Sequence, residues 1–128
     1  MLIDTHSHIY STDFIHDLDE VIQRAYSNDV RKIILPNIDS SSVKNLLNLV
    51  DTYPHICIPL MGLHPTSVNH DYQEELQVVE YWLKKRKFYG IGEIGIDLYW
   101  DKSFLAEQIH AFRFQLELAR QYQLPVVI

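Results

Sequence analysis

The sequence is short of the residues that mark several common classes of protein. Cysteine occurs once in 128 residues, at Cys57. No internal disulfide framework can form, and a lone thiol inside the apolar run Ile56-Cys57-Ile58 reads as a buried, inert side chain in a reducing compartment. Positive charge is scarce: 11 Lys and Arg against 17 Asp and Glu give a formal net charge of -6. Nucleic-acid binding by phosphate-tracking charge alone is thereby disfavoured. Chemistry on phosphate esters is not, provided that metal ions neutralise the site. No apolar run approaches membrane-spanning length, so no membrane association is expected. The start, Met1-Leu2-Ile3-Asp4, lacks a basic segment followed by an apolar one, so no signal peptide is expected and the chain is placed in the cytoplasm. With only four glycines and five prolines among 47% hydrophobic residues, nothing points to disorder or low complexity.

What is present is an alternation of apolar runs and helical periodicity. Leu2 to Ile9 reads as a first strand, followed by Phe14, Leu18, Val21, Ile22 and Ala25 at helical spacing. Lys32 to Leu35 is a second strand, stopped by Pro36. Ser40 to Ser42 can cap a helix carrying Val43, Leu46, Leu47 and Val50. His55 to Met61 is a third strand with an awkward Pro59, and Leu76, Val79, Trp82 and Leu83 mark a third helix. Tyr89 to Ile96 is a fourth strand. A fourth helix, capped by Ser103, carries Phe104, Leu105, Ile109, Phe112, Leu116 and Ala119. It ends at Gln123-Leu124-Pro125, where Val126-Val127-Ile128 begin a fifth strand.

Four successive β-α units imply a parallel α/β sheet with right-handed crossovers. An open doubly wound sheet would carry a glycine-rich turn after its first strand. Here that strand leads into His-Ser-His-Ile-Tyr, and polar ligand-type residues at strand ends are what (β/α)8 barrels of the TIM type use. The barrel is therefore expected. A whole barrel needs about 250 residues, so residues 1–128 are expected to be a single domain comprising a partial barrel, truncated before its C-terminal half.

Candidate chemistry begins at Asp4-Thr5-His6-Ser7-His8. Side chains two apart on a strand share a face, with Cα atoms roughly 6.6 Å apart, so both imidazoles can converge on one cation. The alternative is two partly solvated histidines. Asp4 shares their parity and can orient a ligand or lie deeper as a hydrogen-bonded core carboxylate. Glu93 sits inside Gly90-Ile91-Gly92-Glu93-Ile94-Gly95-Ile96-Asp97. A carboxylate in such a strand is rare unless paired or metal-bound, and its two oxygens can bridge two cations. A salt-bridged core Glu is the less favoured reading. Asp97, at the end of that strand, can position substrate or cap a loop. His64, in Gly62-Leu63-His64-Pro65, falls at the same rim as His8, where it can bind a substrate phosphate or stabilise a turn. Tyr99 and Trp100 follow at the rim as base-stacking rings or as buried loop anchors. His16, His55, His70 and His110 show no partner spacing. Lys84-Lys85-Arg86-Lys87 reads as cations complementing a helix C-terminus rather than as a nucleic-acid patch.

Taken together, Asp4 to His8, Gly62 to Pro65, Gly92 to Asp97, and the stretch from Gln115-Leu116 through Leu124-Pro125-Val126-Val127-Ile128 resemble the TatD family of metal-dependent hydrolases. A His-x-His strand is shared across the wider amidohydrolase-like superfamily; the Gly-Glu-Ile-Gly-Ile-Asp segment and the Leu-Pro-Val tail point more narrowly to TatD. The resemblance implies that His6 and His8 ligate one divalent metal and that Glu93, the catalytic carboxylate, bridges it to a second. His64 would line the site and contact substrate. The implied activity is that of a two-metal 3′-to-5′ deoxyribonuclease on single-stranded DNA or 3′ ends, with Zn, Mn or Mg as the cation and no obligate protein partner. The family also uses a His directly after the segment ending at Ile128, a later His and a late Asp, none of which this sequence contains. Activity is thus implied for a longer parent chain, with the 128-residue chain itself inactive. Two alternatives stand beside this: another ester or amide hydrolase of the same superfamily, or a non-catalytic metal-binding half-barrel.

Overall fold

The structure, a computed structural model, describes all of residues 1–128. Three strands, β1 (Leu2–Asp4), β2 (Val30–Leu35) and β3 (Cys57–Pro59), pair in parallel and in chain order. Beyond β3 the arc continues through single parallel bridges, Met61 to Ile91 and Ile91 to Val126. The order never doubles back. An open doubly wound sheet would reverse at a switch point, whereas a barrel keeps consecutive strands adjacent. The chain is a partial (β/α) barrel, as its sequence pattern implies.

Four helices pack outside the arc: α1 (Leu18–Ser27), α2 (Val43–Thr52), α3 (Tyr72–Lys85) and α4 (Leu105–Tyr122). Each presents an apolar stripe to the strands. Ile22 of α1 and Leu46 and Leu49 of α2 meet Ile33 and Leu35 of β2 in one cluster, which also encloses Cys57. There burial pushes the Cys57 thiol up to about 12, which leaves it protonated and inert. Val43 and Leu47 of the same α2 belong to a second, larger cluster, with Met61, Leu63, Leu76, Val79, Ile91 and Ile94. Helix α2 therefore ties the two clusters together. At the far end of α3, Arg86 pairs with Asp51 at 2.5 Å, so this part of the basic run has a structural role.

Several sequence expectations are corrected. β1 stops at Asp4, well short of Ile9, because the Asp4 carboxylate turns back to accept from the His6 amide at 3.1 Å; only Ser7 N, on Ile34 O at 3.0 Å, continues the pairing. β3 is confined to Cys57–Pro59. Tyr89 to Ile96 is not a continuous strand. It touches its neighbours through Ile91 alone among formal bridges, since glycine supplies no side chain to pack and Gly95, at φ +150°, leaves the extended region. Ser42 stands at the start of α2, yet its hydroxyl turns away from the helix to accept from the Ile38 and Asp39 amides. Phe104, not Ser103, precedes α4. The buried stripe of α4 is also displaced from the expected one. It consists of Gln108, Ala111, Gln115, Leu118 and Ala119, while Leu105 and Leu116 are exposed.

Candidate metal centre

The C-terminal ends of the parallel strands converge on one rim, where a barrel of this type places its chemistry. His6 and His8 arrive just beyond β1, His64 just beyond β3, and Glu93 just beyond the Ile91 bridge. Buried Asn37, beyond β2, holds these ends together. Its backbone N–H donates to Gly92 O at 3.0 Å and its carbonyl accepts from Glu93 N at 3.1 Å. Its side-chain amide donates to Gly62 O at 2.9 Å. A Cβ on Gly62 would meet the Gly92 backbone, and one on Gly92 would crowd Val127 and Leu60, so both positions are tight for a side chain.

On this frame His6 Nε2, His8 Nε2 and Glu93 Oε2 draw together, with ligand atoms all within 4.8 Å of one another. His6 Nε2 lies 2.7 Å from Glu93 Oε2. His8 Nε2 lies 3.2 Å from the same oxygen and 3.2 Å from His6 Nε2. The proton on His8 can be located. The Tyr10 hydroxyl donates to the Pro36 carbonyl, so toward His8 Nδ1, 2.8 Å away, it acts as acceptor. The imidazole proton is then on Nδ1, and the Nε2 lone pair faces the Glu93 carboxylate. Burial first, and the neighbouring His6 second, hold His8 below the usual imidazole value and favour this neutral form. A lone pair and a carboxylate oxygen facing each other at 3.2 Å repel unless a proton or a cation lies between them. Two donors on one tetrahedral cation at ordinary bond lengths sit about 3.3 Å apart, so the donor set fits a divalent ion.

His64 takes a different part. Its Nδ1 accepts from the Thr66 amide at 3.1 Å, which caps the 3-10 turn Pro65–Ser67. The remaining ring proton is therefore on Nε2, which lies 3.2 Å from Glu93 Oε1. The turn-stabilising reading of this residue holds: it caps the turn with one nitrogen and reaches toward the Glu93 carboxylate with the other. Glu93 thus divides its oxygens, Oε2 to the histidine pair and Oε1 to His64.

Position bears on the remaining candidates. Asp4 is exposed and not a core carboxylate. Asp97 caps its own loop, accepting from the Tyr99 amide at 2.8 Å. Tyr99 and Trp100 are 81% and 79% exposed, so neither ring is a buried anchor. His16, His55, His70 and His110 stay outside the cluster. Sequence reasoning missed Tyr10, Asn37, Gln108 and Gln115. Tyr10 continues the two-residue spacing of His6 and His8, which was the available signal. The glutamines gave none, because amides within a helix pattern read as surface. Gln115 accepts from Leu63 N at 2.7 Å and donates to Leu63 O at 3.2 Å. Gln108 does the same for Asp97, at 2.8 and 2.9 Å.

A partial parallel barrel with histidines and a carboxylate gathered at its C-terminal rim is the architecture of a metal-dependent hydrolase of the barrel type. Comparison with known proteins narrows this. The family model described as TatD related DNase matches residues 3–128. The chain belongs to the TatD family. It is 33% identical to an uncharacterized metal-dependent hydrolase, YabD, of Bacillus subtilis, covering 100% of this chain and 50% of that protein. A protein named 3′-5′ ssDNA/RNA exonuclease TatD, from Citrobacter rodentium, is 29% identical over 98% of this chain and 47% of its own length. The crystal structure of YJJV, a TatD homologue from Escherichia coli K12, superposes with a TM-score of 0.88 at 33% identity, covering 98% of this chain and 49% of that one. The chain spans about half the length of the curated relatives it matches.

Proposed function

We propose that residues 1–128 form one domain that supplies half of the metal centre of a nucleic-acid phosphodiesterase. His6, His8 and Glu93 are the metal ligands and His64 is the substrate-contacting residue. The observation that carries this reading is the His8 Nε2 lone pair aimed at Glu93 Oε2 beside His6 Nε2. Relatives named as metal-dependent hydrolases and as a 3′-5′ exonuclease support the reaction class and its direction. A bound divalent ion, or two sharing Glu93, would supply the Lewis acidity for phosphodiester cleavage.

The chain's own groups do the rest. Tyr10 and Pro36 fix the His8 ring so that Nε2 stays free of a proton. Asn37 sets the backbone from which Glu93 projects. The His64 Nε2–H lies beside Glu93 Oε1 and is placed to donate to a phosphate oxygen once that carboxylate turns to a cation. The low positive charge of the chain is consistent with metal-mediated rather than lysine-mediated phosphate binding.

Calorimetric titration with Mn²⁺ or Zn²⁺ tests the site. The chain should bind, and His8→Ala and Glu93→Gln should each weaken binding by at least about 10-fold. In a protein that also carries the second half found in the relatives, Glu93→Ala should abolish release of 3′ nucleotides from a single-stranded oligonucleotide. Undiminished metal binding by both variants, or full hydrolysis by the latter, defeats the assignment.

A further inference from the structure

Resting on that reading, we propose that Tyr99 is the platform on which a nucleobase of the substrate stacks when its phosphate lies at Glu93 and His64. Tyr99 lines the same cavity as His64, Glu93, Asp97 and Ile128, with a volume of about 370 Å³. That lies within the range of sites that enclose a small ligand, about 300–1,000 Å³. The ring is 81% exposed, and Trp100 meets it edge-on, with centroids 4.8 Å apart and planes at 86°.

Exposed aromatic rings usually belong to mobile loops or to contacts with a partner. This loop is instead fixed from inside. The Tyr99 amide is held by Asp97 Oδ1 at 2.8 Å. The backbone of Asp97 is held by both ends of the Gln108 amide, which is 3% exposed. The loop therefore needs neither ring to anchor it, and both rings are presented outward on rigid backbone. A tyrosine so held loses little freedom on binding, since only two torsions remain to be fixed. The cavity lining contains no lysine or arginine, so the side chains that this chain contributes cannot grip a strand by charge. Stacking is the one sequence-tolerant contact with a base that the lining offers, and it is insensitive to salt.

The test compares a short oligothymidylate with the same strand ending in an abasic 3′ sugar, titrated against the chain in Mn²⁺ and followed by fluorescence anisotropy. The intact strand should bind about 5- to 100-fold more tightly than the abasic one. That ratio should fall to about one in Tyr99→Ala and return in Tyr99→Phe, which keeps the ring and loses the hydroxyl. It should also persist between about 50 and 200 mM salt, where ionic contacts weaken steeply. Tyr99→Ala should melt like the parent, because the ring is exposed. Equal binding of both strands by the parent chain, or an unchanged ratio in Tyr99→Ala, overturns this inference alone. Failure of both strands to bind overturns it together with the nucleic-acid reading.

Discussion

Replacing Gly62 by alanine adds one methyl group in the worst available place. Its Cβ would lie 2.8 Å from the carbonyl carbon of Gly92 and 2.9 Å from the carbonyl oxygen. Both are backbone atoms, which cannot rotate out of the way as a side chain can. Restoring ordinary contact requires the two segments to part by about 0.6 Å. The parting strains two links of Asn37, the donation to Gly62 O and the pair it makes with Gly92 and Glu93. Overpacking of this kind costs about 1–3 kcal/mol, which for a domain of this size lowers the melting temperature by roughly 5–15 °C. The same displacement moves Glu93 relative to His6 and His8, and sites of this kind tolerate about 0.5 Å of misplacement. Gly62→Ala should therefore weaken Mn²⁺ binding by about 10- to 100-fold, as loss of a ligand's support does elsewhere. Thermal melting by circular dichroism and calorimetric metal titration read the two effects. A variant with the parent's melting temperature and metal affinity would show that Gly62 and Gly92 do not set the position of Glu93.

Two further outcomes follow from the same frame. Gln115→Leu leaves the N–H and C=O of buried Leu63 without partners and should cost at least about 2 kcal/mol in urea denaturation; a stability equal to the parent's would mean that water replaces the amide at no cost. The pH dependence of stability reports on His8 in metal-free protein. Its folded form resists protonation through burial and the neighbouring His6, while the unfolded chain takes up a proton near the ordinary value of about 6.5. Stability is therefore complete above about pH 6.5 and declines as pH falls below it. His8→Gln should flatten that decline, and urea midpoints falling equally in both proteins would refute it.

The barrel was legible because its evidence is periodic. Ile33 and Leu35, Val43, Leu46 and Leu47, and Leu76, Val79 and Leu83 repeat at strand and helix spacing and are buried where the repeats place them. Grouping His6, His8, His64 and Glu93 was possible because chemistry at a barrel rim follows from the strand ends alone. What failed was local. His6 and His8 were assigned to a strand that stops at Asp4, because a side chain capping its own backbone leaves no mark on hydrophobic pattern. The sequence reads Tyr89 to Ile96 as a fourth strand, yet the glycines within it interrupt the ladder. Helix α4 was oriented by its apolar residues, while the structure buries Gln108 and Gln115, whose value lies in backbone groups far away in sequence.

Those two glutamines stand seven residues apart on α4, close to two full turns, so they share a face and are separated by about 10.5 Å along the axis. One grips the backbone at Leu63, the residue before His64; the other grips Asp97, two residues before Tyr99. The helix thereby acts as a ruler between two rim loops that belong to different β-α units, holding their spacing and their phase. Inserting or deleting one residue between Gln108 and Gln115 would swing one amide by about 100° relative to the other, releasing one loop while the other stayed held. The geometry of the rim is thus encoded partly in the helical phase of a segment that contributes no atom to the metal centre itself.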